Sequence, residues 1–231
     1  MRPGDTELSI EAVPVVGMLD PAHPARARGA TIDARSSGDK RAVWRASLLA
    51  AAAFALVLVS NLLSLGLDNL RTNLINANWE FSWSHIADTI LLGVGVCVSL
   101  VGARATRADR RLWIATGAIL AVFFLDEASA LHGQIGNLEK LLYAPILAAL
   151  VVCVYRLTAR TRESALVVSA LTTLLVAFVM HVAGLHLLRP IGYTTYVYQA
   201  GVGLKEGTEL AGLMLLVTAL WRRARQATWR L

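Results

Sequence analysis

The sequence predicts an all-α fold: a polytopic membrane helical bundle of six transmembrane helices with both termini cytoplasmic. Three observations predict it. Of 231 residues, 56% are hydrophobic and only 16% are charged, whereas soluble domains carry about 25% charged residues. The apolar residues gather into six segments, each near the ~20 residues that cross ~30 Å of hydrocarbon. Lys and Arg alternate from loop to loop as the positive-inside rule requires.

Residues 1–40 carry Pro3, Gly4, Pro14, Pro21, Pro24, Gly29 and Gly38 among charged and small residues, without apolar periodicity. They are expected to form a disordered cytoplasmic tail, and a signal peptide is not expected because no apolar core follows the basic start. Residues 41–231 then form the six-helix transmembrane domain. Its apolar segments are Val43–Leu65, Ile86–Val101, Leu112–Leu131, Leu141–Leu157, Ser164–Leu188 and Gly203–Trp221, the second and fourth being short. Arg189-Pro190 is expected to end the fifth helix. The longest outer connection, Leu67–His85, is expected to be partly helical and to lie along the interface. Cys97 and Cys153 sit inside apolar runs, fit no zinc spacing, and read as packing residues.

Orientation follows from the basic residues. Of 22 Lys and Arg, all but Arg71, Lys140, Arg189 and Lys205 fall on the side that holds both termini. That side is therefore cytoplasmic. Trp44, Trp113 and Trp221 are expected at the inner boundary; Trp79, Phe81, Trp83, Tyr193, Tyr196 and Tyr198 are expected at the outer one. The net charge of +6 then reports topology. It does not mark a nucleic-acid partner, since no folded segment offers a solvated basic face. The lipid bilayer is the expected partner, with a homo-oligomer or a membrane partner subunit also open. The Ala- and Arg-rich composition fits a bacterial plasma membrane.

Orientation also turns scattered polar residues into a layer. Outside the tail, every acid except Asp109 and Glu163 falls on the outer half, with His85, His132, His181 and His186. The stretch Phe123–Gly133 ends an apolar span with Asp126, Glu127, Ser129 and His132. Charged groups inside a span cost roughly 2.5–3.5 kcal/mol each on insertion scales, so they mark a functional site by default. At 1.5 Å per residue, Asp126 and His181 lie about 21 and 25 Å along their helices, and Glu206 and Glu209 enter from the outside about 5 and 9 Å deep. Asp88 lies just below the start of the second helix. Gly203-x-x-x-Gly207 reads as a close-approach face for a neighbouring helix.

Carboxylates and neutral imidazoles around one cavity are the donor set for a divalent metal, Zn, Mn or Fe. On that reading Asp126, His132, His181 and Glu209 are the metal ligands, and Glu127 or Glu206 is the general base that activates a bound water. His181 and His186, five residues apart, point about 140° from each other on a regular helix and do not form a ligand pair. The same inventory serves a proton or cation path. The structural alternative is pairing of these acids with Lys205, with Arg189 or with a partner chain.

Two motifs carry a resemblance. Leu125-Asp126-Glu127-Ala128-Ser129-Ala130-Leu131-His132 resembles the LDE-A-x-x-x-HE stretch of a family of small bacterial multipass membrane proteins of unknown function. Lys205-Glu206-Gly207-Thr208-Glu209-Leu210-Ala211-Gly212 resembles the EEGxExxG stretch of that family's final helix. This chain departs from the pattern where Gly133 follows His132 and Lys205 precedes Glu206, each in place of an acid. In residue type, Asp126, Ser129, His132 and His181 are also similar to the zinc site of alkaline-ceramidase-like membrane hydrolases. Those proteins, however, have seven spans and a histidine pair in the last.

The expected function is therefore an integral membrane protein with an outward-facing acidic and imidazole-bearing cavity that binds a metal ion or cation. As an enzyme it would be a metal-dependent hydrolase of a lipid or amphiphile. A proton-coupled transporter or carrier is the alternative, and a non-catalytic membrane subunit or scaffold is the third reading.

Overall fold

A computed structural model describes residues 23–66, 74–77, 82–129, 138–192 and 195–228. Among them every regular element is helical. Helix α1 (His23–Leu63) is extended by a 3₁₀ turn, Ser64–Gly66. It is followed by α2 (Trp83–Ala105), α3 (Arg110–Ser129) and α4 (Leu138–Thr158). Helix α5 (Ser164–Val179) runs into a π-helical turn, Met180–Gly184, and a last α-turn, Leu185–Leu188. The 3₁₀ turn Arg189–Ile191 and Gly192, at φ +100°, precede α6 (Tyr196–Thr228).

The chain divides into two units, Met1–Arg41 and Ala42–Leu231. In the first, residues 1–22 of the expected tail lie outside the described residues, and from His23 the chain is helical. In the second, the described residues of all six apolar segments fall on helices. Four helical stretches are long and apolar enough to cross a membrane: Lys40–Leu63, Trp83–Ala105, Arg110–Ser129 and Ser164–Ala183. The apolar part of α4, Tyr143–Thr158, is shorter, and α6 carries Lys205, Glu206 and Glu209 among its apolar residues. Large apolar side chains stay exposed along the candidate spans, among them Leu49, Leu56, Ile90, Ile114, Leu125, Val168 and Val179. Apolar surface on this scale belongs against lipid.

Local chemistry sets the ends of α2. Ser82 adopts extended backbone and its hydroxyl accepts the His85 N–H, so α2 begins at Trp83 and His85 lies in its first turn instead of in the outer connection. At the other end Thr106 turns extended, and its N–H and hydroxyl both donate to the Gly102 carbonyl. Of the connection Leu67–His85, residues 67–73 and 78–81 lie outside the described residues.

Helix α6 is the centre of the packing, lying against α2 on one side and α5 on the other; α3 packs on α2, and α4 joins α3 to α5. The main core draws on all six helices, with Trp113, Leu120, Val154, Val167, Leu216 and Leu220 at its heart. A smaller cluster of Val57, Ala77, Tyr198, Val202 and Leu210 joins α1 to α6. Gly203 and Gly207 form the expected close-approach face: a Cβ on Gly207 would stand 2.9 Å from the Phe54 carbonyl oxygen, and one on Gly203 3.1 Å from the Leu58 Cα. Asn61 secures the same crossing. Its amide donates to the Gln199 carbonyl at 2.5 Å and side-chain oxygen at 3.0 Å, and its own oxygen accepts the Ala77 N–H at 2.7 Å.

The structure adds burial to two aromatic expectations and corrects one for a cysteine. Trp113, expected at the inner boundary, is wholly buried and packs flat on Gly102. Tyr198, expected at the outer boundary, is buried in the smaller cluster. Cys97, read as a packing residue, is exposed on α2. An aromatic ring is equally apolar at an interface and in a core, and only helix rotation decides between them. Because a Cβ at position 102 would lie 2.4 Å from the rigid indole, Gly102→Ala is expected to destabilise the protein by about 1–3 kcal/mol through overpacking. Thermal unfolding in detergent measures this, and an unchanged midpoint would contradict the α2–α3 packing.

The helix ends that the sequence places on the inner side are tied together by charge. Glu163, wholly buried between α4 and α5, accepts from Arg222 at 2.9 Å and Gln226 at 2.5 Å. Arg223 donates to Asp109, between α2 and α3, at 2.9 Å and to the Leu157 carbonyl at 3.1 Å. The last turns of α6 thereby hold both inner connections. In the sequence these arginines carried only topology.

Candidate binding cavity

Helices α2 to α6, with the π-helical turn after α5, line a cavity of about 140 Å³ at the end of the bundle that the sequence places outside. Helix α2 contributes His85 and Leu92, α3 contributes Leu120, Phe123, Asp126 and Glu127, and α4 contributes Tyr143, Leu147 and Leu150. Helix α5 supplies Leu174, Ala177 and Phe178, the π-helical turn supplies His181, and α6 supplies Lys205, Glu209 and Leu213. On each helix the polar residues stand at the same end of the bundle and the apolar ones one or two turns deeper. The result is a pocket with a charged mouth and an apolar floor.

Three ion pairs organise the mouth. Lys205 stands between its two neighbours on α6, with its Nζ 2.9 Å from Glu206 and 3.1 Å from Glu209. The second contact joins positions i and i+4, which share a helix face. Across the cavity His85 Nδ1 meets Glu127 at 2.5 Å and bridges α2 to α3. The imidazole was read as an interfacial polar residue; the Ser82 cap draws it into the first turn of α2, which points it at Glu127. His181 occupies a π-helical turn, a local underwinding that interrupts the α-ladder and is frequent at functional sites.

Asp88 is the outstanding group of this layer. It is 1% exposed, and neither carboxylate oxygen has a hydrogen-bond partner among the described residues. It lies between His85 and Leu92 on one stripe of α2, since positions three and four apart share a face, and both neighbours line the cavity. Glu209, Glu206, Glu127 and Lys205 are all near enough to act on it electrostatically. A bare carboxylate so buried is costly unless it is protonated or meets a cation.

The expected site residues separate as follows. Asp126, Glu127, His181 and Glu209 all line the cavity, and Glu206 adjoins it through Lys205. His132 lies outside the described residues. Ser129 turns its hydroxyl back onto the Leu125 carbonyl and is exposed, so it stands apart from the cavity. Among the described residues no group of three or more His, Cys, Asp or Glu side chains is placed to hold a metal ion. The space between Glu206 and Glu209, where a cation would bind, is filled by the chain's own ammonium. Glu127 and Glu206, the expected bases, are each engaged with a basic side chain. The aromatic wall, Phe123 stacked on Tyr143 at 5.6 Å between centroids with Phe178 on the next helix, had no signal in the sequence beyond apolar character.

Membrane-length apolar helices around a charged cavity define the class of the molecule: an all-helical membrane protein. Residues 48–223 match the family DUF8692, a domain of unknown function, and the chain belongs to that family. The likeness to an uncharacterised family read from the sequence holds at that level. No curated protein and no solved structure matches the chain.

Proposed function

We propose that this chain is a six-span carrier, with both termini cytoplasmic, that binds a cation in its outer-half cavity and exchanges it for protons. A bacterial plasma membrane is the proposed location. The observation that carries the reading is the excess of acid. Among the described residues, the acids Asp88, Asp126, Glu127, Glu206 and Glu209 share one layer with the basic groups Lys205, His85 and His181. Low-dielectric surroundings do not tolerate that surplus of negative charge. Some of the carboxyls must therefore hold protons until an external cation replaces them, and replacement of one by the other is exchange. Asp88 is the group best suited to the proton's place, because it is buried and, among the described residues, no hydrogen bond holds it ionised. Metal-dependent hydrolysis draws less support, since the candidate bases are engaged and no metal-spaced trio stands among the described residues.

The test is cation flux in proteoliposomes under a pH gradient. Wild type is expected to move cation outward-to-inward in exchange for protons, with a rate that follows the gradient. Asp88→Asn replaces a neutral carboxyl by a neutral amide of the same shape, so the fold is expected to persist while the response to the gradient is lost. Flux that ignores the gradient in wild type, or a fully gradient-driven Asp88→Asn variant, would overturn the assignment.

A further inference from the structure

We infer that the cargo of this cavity is a lipophilic amine: one positive charge, no anionic group, and an apolar or aromatic body. The inference rests on the carrier reading and names its substrate class. Size speaks first. A water-sized occupant needs about 10–15 Å³ on this kind of measure, and the cavity offers about 140 Å³. A bare inorganic cation would leave most of it empty. The depth profile speaks next. Below the charged mouth the walls are Leu120, Leu147, Leu150, Leu174 and Leu213, a poor setting for a hydrated ion and a good one for hydrocarbon.

The mouth fixes the sign of the head group. Lys205, the lysine at the cavity, already meets Glu206 and Glu209, so a carboxylate or phosphate on the ligand would face acids. The carboxylates that line the cavity are Asp126, Glu127 and Glu209, and Asp88, buried on α2 outside that lining and without a hydrogen-bond partner among the described residues, adds to the demand for positive charge. An ammonium presents donors and the matching charge. Between mouth and floor, the stacked pair Phe123–Tyr143 and the ring of Phe178 offer π faces, which attract an alkylated ammonium and pack against an aryl body. Charge at one end, rings in the middle and leucines below are the negative image of an amphiphilic amine.

The experiment is calorimetric titration of the purified full chain in lipid nanodiscs, with methylamine, n-butylamine, n-hexylamine and benzylamine. Sodium ion, n-hexanol and a zwitterionic aminoalkyl phosphate serve as comparators. Affinity is expected to rise roughly fourfold for each methylene buried along the alkyl series. Benzylamine should exceed butylamine, and hexanol and the zwitterion should bind at least tenfold more weakly than hexylamine. Phe178→Ala is expected to remove the benzylamine advantage while keeping the alkyl series. Affinity flat from methylamine to hexylamine, or hexanol equal to hexylamine, would overturn the inference. Absence of binding by every amine would do so as well. If methylamine or sodium ion alone drives proton exchange in the proteoliposomes, the carrier reading stands and the amine assignment falls. If no cation drives exchange, the carrier reading falls with it.

Discussion

Replacing Lys205 by methionine is expected to destabilise the folded protein by about 3–5 kcal/mol, the cost of removing one partner from a buried ion pair. The reason is the position of its ammonium, which serves two carboxylates at once and is itself only 12% exposed. Without it, Glu206 and Glu209 face each other, Asp88 and Glu127 in one low-dielectric layer. Two rescues separate this account from simple loss of packing. Lys205→Met combined with Glu206→Gln and Glu209→Gln should recover most of the stability, because neutral partners need no counter-charge. Added methylammonium should raise the midpoint of the single variant more than that of wild type, because a ligand that binds only the folded state stabilises it by mass action. Thermal unfolding in detergent reads both effects, and a single variant as stable as wild type would contradict the buried clamp.

Glu163→Ala is expected to have an effect of similar size, about 3–5 kcal/mol, at the opposite end of the bundle. Glu163 is wholly buried and accepts from both Arg222 and Gln226, so its loss strips two donors on α6 of their acceptor. The paired change Glu163→Leu with Arg222→Leu should restore much of the stability, since well-packed apolar side chains often replace a buried ion pair without loss. The two ends of the molecule also separate functionally. Because neither Glu163 nor its partners Arg222 and Gln226 line the cavity, amine affinity measured on the folded fraction should be unchanged in the Glu163 variant. In the Lys205 variant that affinity should rise.

These two residues also mark what the sequence conveyed and what it withheld. The described residues of each of the six apolar segments fall on helices, because length and hydropathy are local properties that one chain displays openly. Depth was legible as well. Counting residues from the boundaries puts Asp88, Asp126, His181, Glu206 and Glu209 in one layer; of these Asp126, His181 and Glu209 line one cavity, with Glu127 beside them, and Asp88 and Glu206 stand outside its lining. Helix rotation was not legible. It decides that Trp113 meets Gly102 instead of the bilayer surface, that Phe123 stacks on Tyr143, and that Asp88 faces the acids of α6. Pairing was legible only by proximity in sequence. Lys205 with Glu209 is an i, i+4 contact and could be anticipated, whereas Glu163 with Arg222 joins positions 59 residues apart and could not. The π-helical turn at His181 likewise has no signature in residue spacing.

Exchange of cation for proton is the central claim, and proton release on binding tests it most directly. The purified chain in a weakly buffered solution, titrated with hexylamine hydrochloride adjusted to the same pH, should acidify the medium in proportion to the amine bound. Asp88→Asn should bind the amine and release markedly less acid. Amine binding by wild type with no change in pH would contradict the account, because the surplus carboxyls would then hold no proton for the cation to displace.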